Sequence, residues 1–178
     1  ALFRTTNAKI IGRNISSTII QADKIKFTES RKSGIRKALS NGITVRLSND
    51  LSTFWEILDT NLKNKYGVAP VHTLLEMQLL QSRFPQYKDD IALGGTLLYI
   101  TKQVVHTQYI SANVEGKELG VLDLLFDYLI NHEYTNYPYF DFGQSTEQMG
   151  HLLNVSLIFQ KEGFGGRGMC YDIYEYGL

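Results

Sequence analysis

The segment from Val104 to Gly143 constrains this chain more than any other. VVHTQYISA at 104–112 alternates as a strand, and YFDFG at 139–143 forms a second, shorter one. Between them, Leu119 to Ile130 is apolar on most sides (Val121, Leu122, Leu124, Leu125, Phe126, Leu129), which predicts a helix buried against a sheet. Strand, helix and strand make a crossover, and a crossover sets its two strands parallel.

The elements on either side extend this pattern. AKIIGRNISSTII at 8–20 has the β-branched content of a strand, with no hairpin partner nearby. A helix is expected from Thr28, with Ile35 and Leu39 on one face and Asn41-Gly42 as its stop. GITVRLS at 42–48 alternates as a strand. Asn49 or Asp50 can cap a second helix, in which Phe54, Ile57, Leu58 and Leu62 recur at helical spacing until Gly67. Thr73 and Glu76 form a capping box for a third helix that must finish before Pro85. Ile91 to Leu93, TLLYI ending at Ile100, and 104–112 are expected to form an antiparallel meander. Ser145 and Gln148 match a further capping box, with Met149, Leu152, Leu153, Ser156 and Leu157 as the inner face of a last helix. Two closing strands are expected around Met169 to Tyr176.

A chain of 178 residues can bury a core without disulfides, and Cys170 is its only cysteine. No apolar run approaches the roughly 20 residues that cross a bilayer, and no charged-then-apolar segment stands at Ala1, so a cytoplasmic location is expected. Zero net charge conceals +7 over residues 1–40 and −7 over the rest. Such a basic segment can attract phosphates or nucleic acid, although a solvated helix face is the commoner explanation. Three letter-level matches fail on context. Asp141-Phe142-Gly143 lacks the catalytic loop and nucleotide lysine of a kinase. Gly163, Gly165 and Gly168 follow a predicted helix rather than a strand, which is wrong for a dinucleotide site. His72, His106, His132 and His151 have no metal-ligand spacing, so no metal is expected.

FDFGQSTEQMGHLLN at 140–154 followed by QKEGFGGRG at 160–168 resembles the "DFG, helix, K-x-x-FG" ending of Fem-type aminoacyl transferases and related polysaccharide-cluster acetyltransferases. HTQYISA at 106–112, DLLFDYLI at 123–130 and RKSGIRKA at 31–38 are similar to the same group. The resemblance implies the GNAT acyl-CoA N-acyltransferase fold, an α/β (α+β) arrangement with a mixed, mostly antiparallel sheet and helices on both faces. It also implies that residues 28–178 form the GNAT-like domain and 1–27 a strand and linker, the tail of a preceding domain, since Fem-type enzymes resemble two such domains in tandem. Gly94-Gly95, within IALGGTLL at 91–98, then stands as a joint where the family has a longer strand and turn.

For function, the resemblance implies transfer of an acyl or aminoacyl group to an amine of a cell-surface polysaccharide or peptidoglycan precursor. The donor would be acyl-CoA such as acetyl-CoA, or aminoacyl-tRNA, and the acceptor a small-molecule, lipid-linked or nucleotide-linked amine. A GNAT-like binding module without catalysis is the reading from another class. The donor's pyrophosphate would sit at Glu115-Gly116-Lys117-Glu118-Leu119-Gly120, with Gly116, Lys117, Gly120 and the nearby Ser111 as cofactor-binding candidates. Glu115 and Glu118 oppose an anion there, and the usual GNAT signature is not matched, so a plain polar strand-to-helix turn is an equal alternative.

A lysine-like acceptor amine is mostly protonated at neutral pH, so some base must take its proton. Tyr109 and Asp141 are the catalytic candidates, and both are expected to be dispensable for folding. His106 and Gln108, expected on the face of Tyr109, join His72, Ser145 and Glu147 as substrate-binding candidates. Each has an ordinary structural alternative: an aromatic on a half-buried strand for Tyr109, a helix cap for Ser145, and a first-turn charge for Glu147.

Overall fold

The structure, a computed structural model that describes residues 8–48, 50–81 and 92–176, contains the expected crossover. Strand β3 (Val104–Ala112) leads through helices α4 (Val114–Leu119) and α5 (Val121–Tyr128) and a π-helical turn (Leu129–Glu133) to β4 (Tyr139–Gln144). β3 and β4 pair in parallel, Val104 with Tyr139, Val105 with Phe140 and His106 with Asp141. The remaining elements are β1 (Lys9–Ile20), α1 (Glu29–Ser40), α2 (Leu51–Tyr66), α3 (Leu74–Gln81), β2 (Gly94–Ile100), a small hairpin β5 (Thr146–Glu147) and β6 (Leu152–Leu153), α6 (Val155–Glu162) and β7 (Arg167–Glu175). The five long strands form one sheet in the order β2-β3-β4-β1-β7, in which every described pairing except β3–β4 is antiparallel.

The chain divides into two units: the described residues of Ala1–Thr28, Tyr99–Thr107 and Tyr134–Leu178, and those of Glu29–Leu98 and Gln108–Glu133. In the first unit β1 is an inner strand. It pairs with β4 on one edge and along nearly its whole length with β7 on the other, so the strand expected over 8–20 lies inside the sheet. No local pattern could reveal this, because both partners lie far along the chain. The YFDFG pattern explains the core of this unit, since a strand alternates its faces. Phe140 and Phe142 are buried, joined by Ile19, Phe164 and Phe27. Their rings meet at centroid separations of 5.2 Å (Phe140–Phe142), 5.7 Å (Phe142–Phe164) and 5.3 Å (Phe27–Phe164).

Two expectations for this unit are corrected. Ser145 and Gln148 start no α-helix: Gln148 and Met149 take left-handed φ of 51° and 55°, Gly150 follows at 86°, and the chain makes the β5–β6 hairpin instead. Helix α6 begins one motif later, capped by Asn154, whose side chain accepts from the Leu157 amide at 3.0 Å. Asn154→Ala is therefore expected to lower stability by about 1 kcal/mol in urea denaturation, while Gln148→Ala has little effect. A single strand, β7, replaces the two closing strands, because β1 supplies a partner along its length.

The second unit contains helices α1 to α5. Asp50 caps α2 by accepting from the Thr53 amide, Gly67 ends it at φ 69°, and Thr73 and Glu76 form the reciprocal capping box of α3. Leu51, Phe54, Trp55 and Leu58 of α2 and Met77 of α3 make a buried cluster against which Leu97 and Tyr109 pack. Asn49, Pro85 and Ile91 lie outside the described residues. Ala92 and Leu93 are not in a strand, and residues 43–48 are irregular, since alternation without a pairing partner does not make a strand. On α1, Ala38 is buried and Leu39 is 58% exposed, so the inner face is set one residue from the expected one. The RKSGIRKA motif has a packing reason: a Cβ on Gly120 would stand 2.7 Å from the Gly34 carbonyl oxygen, and Arg31 pairs with Asp123 at 2.6 Å. Gly94 and Gly95 open β2, where side chains would meet Ala112 at 2.7 Å and Phe54 at 3.1 Å. Among the described residues no helix is long and apolar enough to cross a membrane.

Candidate functional site

The candidate residues fall into separate clusters. In the first unit, Asp141 extends from β4 on the face opposite Phe140 and Phe142, where β1 presents Ser16 and Thr18. One carboxylate oxygen accepts from the Ser16 hydroxyl and, at 2.8 Å, from Thr18 Oγ1; the other accepts from His106 Nδ1 at 2.6 Å. Burial alone would push the Asp141 carboxyl up, but the bonds from His106, Ser16 and Thr18 together hold it below the usual carboxylate range. An ionised carboxylate only accepts, so Nδ1 must carry a proton and Nε2 is left as the free lone pair of the neutral ring. The His106 side chain is 32% exposed and that of Asp141 16%.

Beside this pair the sheet carries a bulge. β1 advances two residues from Ser16 to Thr18 while β4 goes from Gln144 to Asp141, leaving one extra residue on β4. Gly143 absorbs it with a left-handed φ of 73°, the glycine conformation of such bulges. A Cβ at Gly143 would come within 3.2 Å of His106 Cε1, so glycine also keeps the imidazole edge clear. Lys161 holds the bulge: the residue is 5% exposed, and its ammonium donates to the carbonyls of Gly143 (2.9 Å) and Gln144 (2.8 Å) and to Ser145 Oγ (3.0 Å). Burial pushes its pKa down to about 8, against an opposing pull from Asp141. The "DFG" and "K-x-x-FG" motifs are thus two halves of one hydrogen-bonded device. Lys161 was visible within the second motif, but its letters gave no hint of its partners.

Two of the acceptor-side candidates, Ser145 and Glu147, have partners within the first unit. Ser145 is 1% exposed and bound to Lys161, while Glu147 accepts from the Asn154 side chain at 2.8 Å.

In the second unit, Tyr109 packs edge-on to Trp55 with centroids 5.5 Å apart, and its hydroxyl lies 2.7 Å from His72 Nδ1. The structure therefore unites these two candidates. Gln108 is the neighbour of Tyr109 on an extended strand and points to the other face. His106 is three residues away and does likewise under a period of two, which corrects the expected shared face.

The expected pyrophosphate segment is the helix α4 with its turn. The Asn113 side chain accepts from the Gly116 amide at 2.7 Å, and a Cβ on Gly116 would stand 2.3 Å from the Leu93 carbonyl oxygen. Gly116 and Gly120 thus allow the chain to approach itself. Lys117 Nζ donates to Asn61 Oδ1 at 2.9 Å, and Asn61 Nδ2 donates to Ser111 Oγ at 2.7 Å and to the Ala112 carbonyl at 2.8 Å. Asn61, on the polar side of α2, joins the candidates Ser111 and Lys117, and nothing in its sequence context singles it out.

The mixed sheet, the β3–β4 crossover and the helices define a GNAT-like α/β fold. Comparison with solved structures agrees: the chain is similar to the C-terminal domain of an Agrobacterium fabrum protein named as a lysylphosphatidylglycerol synthetase, with a TM-score of 0.62 at 12% identity. The match covers 94% of this chain and 60% of that one. No family model and no curated protein matches the sequence.

Proposed function

We propose that this chain is an acyltransferase domain that moves an acyl or aminoacyl group to an amine or hydroxyl acceptor of the cell envelope. The observation that carries it is the parallel β3–β4 ladder that ends at His106 and Asp141, in a sheet of GNAT-like order. Aminoacyl-tRNA is the favoured donor. Support comes from the Fem-type motifs, from the excess of cationic residues over positions 1–40, and from the neighbour's name, which speaks of a lysyl group and a phospholipid. The acceptor class is then a lipid headgroup or a lipid-linked precursor. Acyl-CoA is the second donor, supported by the GNAT-like fold itself, while the occupied surroundings of Gly116 and Gly120 weigh against it.

Thermal-shift titration separates the donors. A ligand at 100 times its dissociation constant stabilises by about 2.7 kcal/mol, which raises the melting temperature by several degrees in a domain of this size. A rise with lysyl-tRNA and none with acetyl-CoA is the expected outcome. The opposite pattern selects the coenzyme, and silence with both favours a binding module without catalysis.

A further inference from the structure

The carboxylate of Asp141 is committed on both oxygens, and its imidazole partner is not. Ser16 and Thr18 occupy one oxygen and His106 Nδ1 the other, so the carboxylate has no reason to turn toward a substrate. That arrangement fixes one ring nitrogen of His106 as a donor and leaves the other basic. An aspartate holding an imidazole in its reactive tautomer is a general device of acyl-transfer catalysis. Gly143, without a side chain, leaves the ring edge open, and a third of the His106 side chain reaches solvent.

We propose that His106 is the catalytic base and acid of the transfer and that Asp141 acts through it as a positioning residue, a role that rests on the acyltransferase assignment above. The acceptor nitrogen attacks the acyl carbonyl carbon, forming the C–N bond, and gives its proton to Nε2. The intermediate then collapses with loss of the C–O bond of an aminoacyl ester, or the C–S bond of a thioester. The leaving oxygen or sulfur takes the proton back from Nε2, so the ring ends as it began. The titratable groups around the pair are Lys161 from α6 and Tyr171 from β7, both electrostatically coupled to Asp141. Tyr171 is pushed up by burial and by that carboxylate.

The test uses the full chain with lysyl-tRNA or acetyl-CoA as donor and hydroxylamine as acceptor amine, followed by hydroxamate formation. His106→Gln is expected to lower the rate by about 10²–10⁴-fold. Because Asp141→Asn also weakens the sheet, Ser16→Ala with Thr18→Val tests positioning while keeping the carboxylate. A raised KM with unchanged kcat in that variant would argue against positioning. Imidazole ¹⁵N spectra supply a readout that folding alone does not move: wild-type His106 should carry its proton on Nδ1, and Asp141→Asn should shift it toward Nε2. Wild-type transfer that His106→Gln leaves intact, or a wild-type ring protonated on Nε2, overturns the proposal and leaves the acyltransferase assignment standing. No transfer by the wild type with either donor overturns both.

Discussion

Lys161→Met is expected to lower stability by about 2 kcal/mol at pH 7 and by considerably more at pH 10. Methionine fills a similar volume but leaves the Gly143 and Gln144 carbonyls and the Ser145 hydroxyl without their buried donor, each worth roughly 1–3 kcal/mol. Relief from burying a charge offsets part of that loss at neutral pH. The offset disappears on raising the pH. Lys161 loses its proton near pH 8 in the folded chain and near 10.5 in the unfolded one. Between those values the unfolded state binds the extra proton, so the wild type gains stability as pH rises and the methionine variant does not. A window of this width corresponds to a further gap on the order of 3 kcal/mol. Urea midpoints of both proteins at pH 7, 9 and 10 check this, and a gap that stays constant would mean that the ammonium does not titrate in that window.

Asp141→Asn is expected to lower stability by roughly 2 to 3 kcal/mol at pH 7, because it disrupts charge-assisted bonds from His106, Ser16 and Thr18 in a half-buried place. The sign of its pH dependence is opposite. A carboxyl held below its unfolded value contributes fully above about pH 4 and loses that contribution as pH falls through its folded value, so the two proteins should converge in acid. Equal melting temperatures at pH 7 would show that the residue serves catalysis alone, as the sequence by itself suggests. Three donors on one carboxylate argue that it serves the sheet as well.

Where the sequence was legible, the signal was local. The Asp50 cap, the Thr73–Glu76 box and the Gly67 stop are each decided within a few residues, and all three stand. The crossover was legible because an apolar helix between two strands has few other solutions. Ser145 and Gln148 have the letters of a capping box, yet Ser145 is drawn inward by Lys161 and the glycine at 150 favours a turn. Residues 42–48 have strand periodicity but pair with none of the described strands. The site was hardest, because its bonds are long-range: His106 and Asp141 are 35 positions apart, and Ser16 and Asp141 are 125 apart. Polar residues such as Asn61, Ser16 and Thr18 have no periodicity that marks them.

The placement of β1 has a consequence for biosynthesis. The strand emerges from the ribosome before both of its neighbours, and the ion pair that joins it to β7, Arg13 with Asp172 at 2.5 Å, spans 159 positions. That edge of the strand must therefore wait, unsheltered, until β7 has been synthesised. Sheets closed so late form slowly and are exposed to aggregation meanwhile. Chains terminated before Arg167 should accumulate as insoluble material even when every catalytic candidate is present.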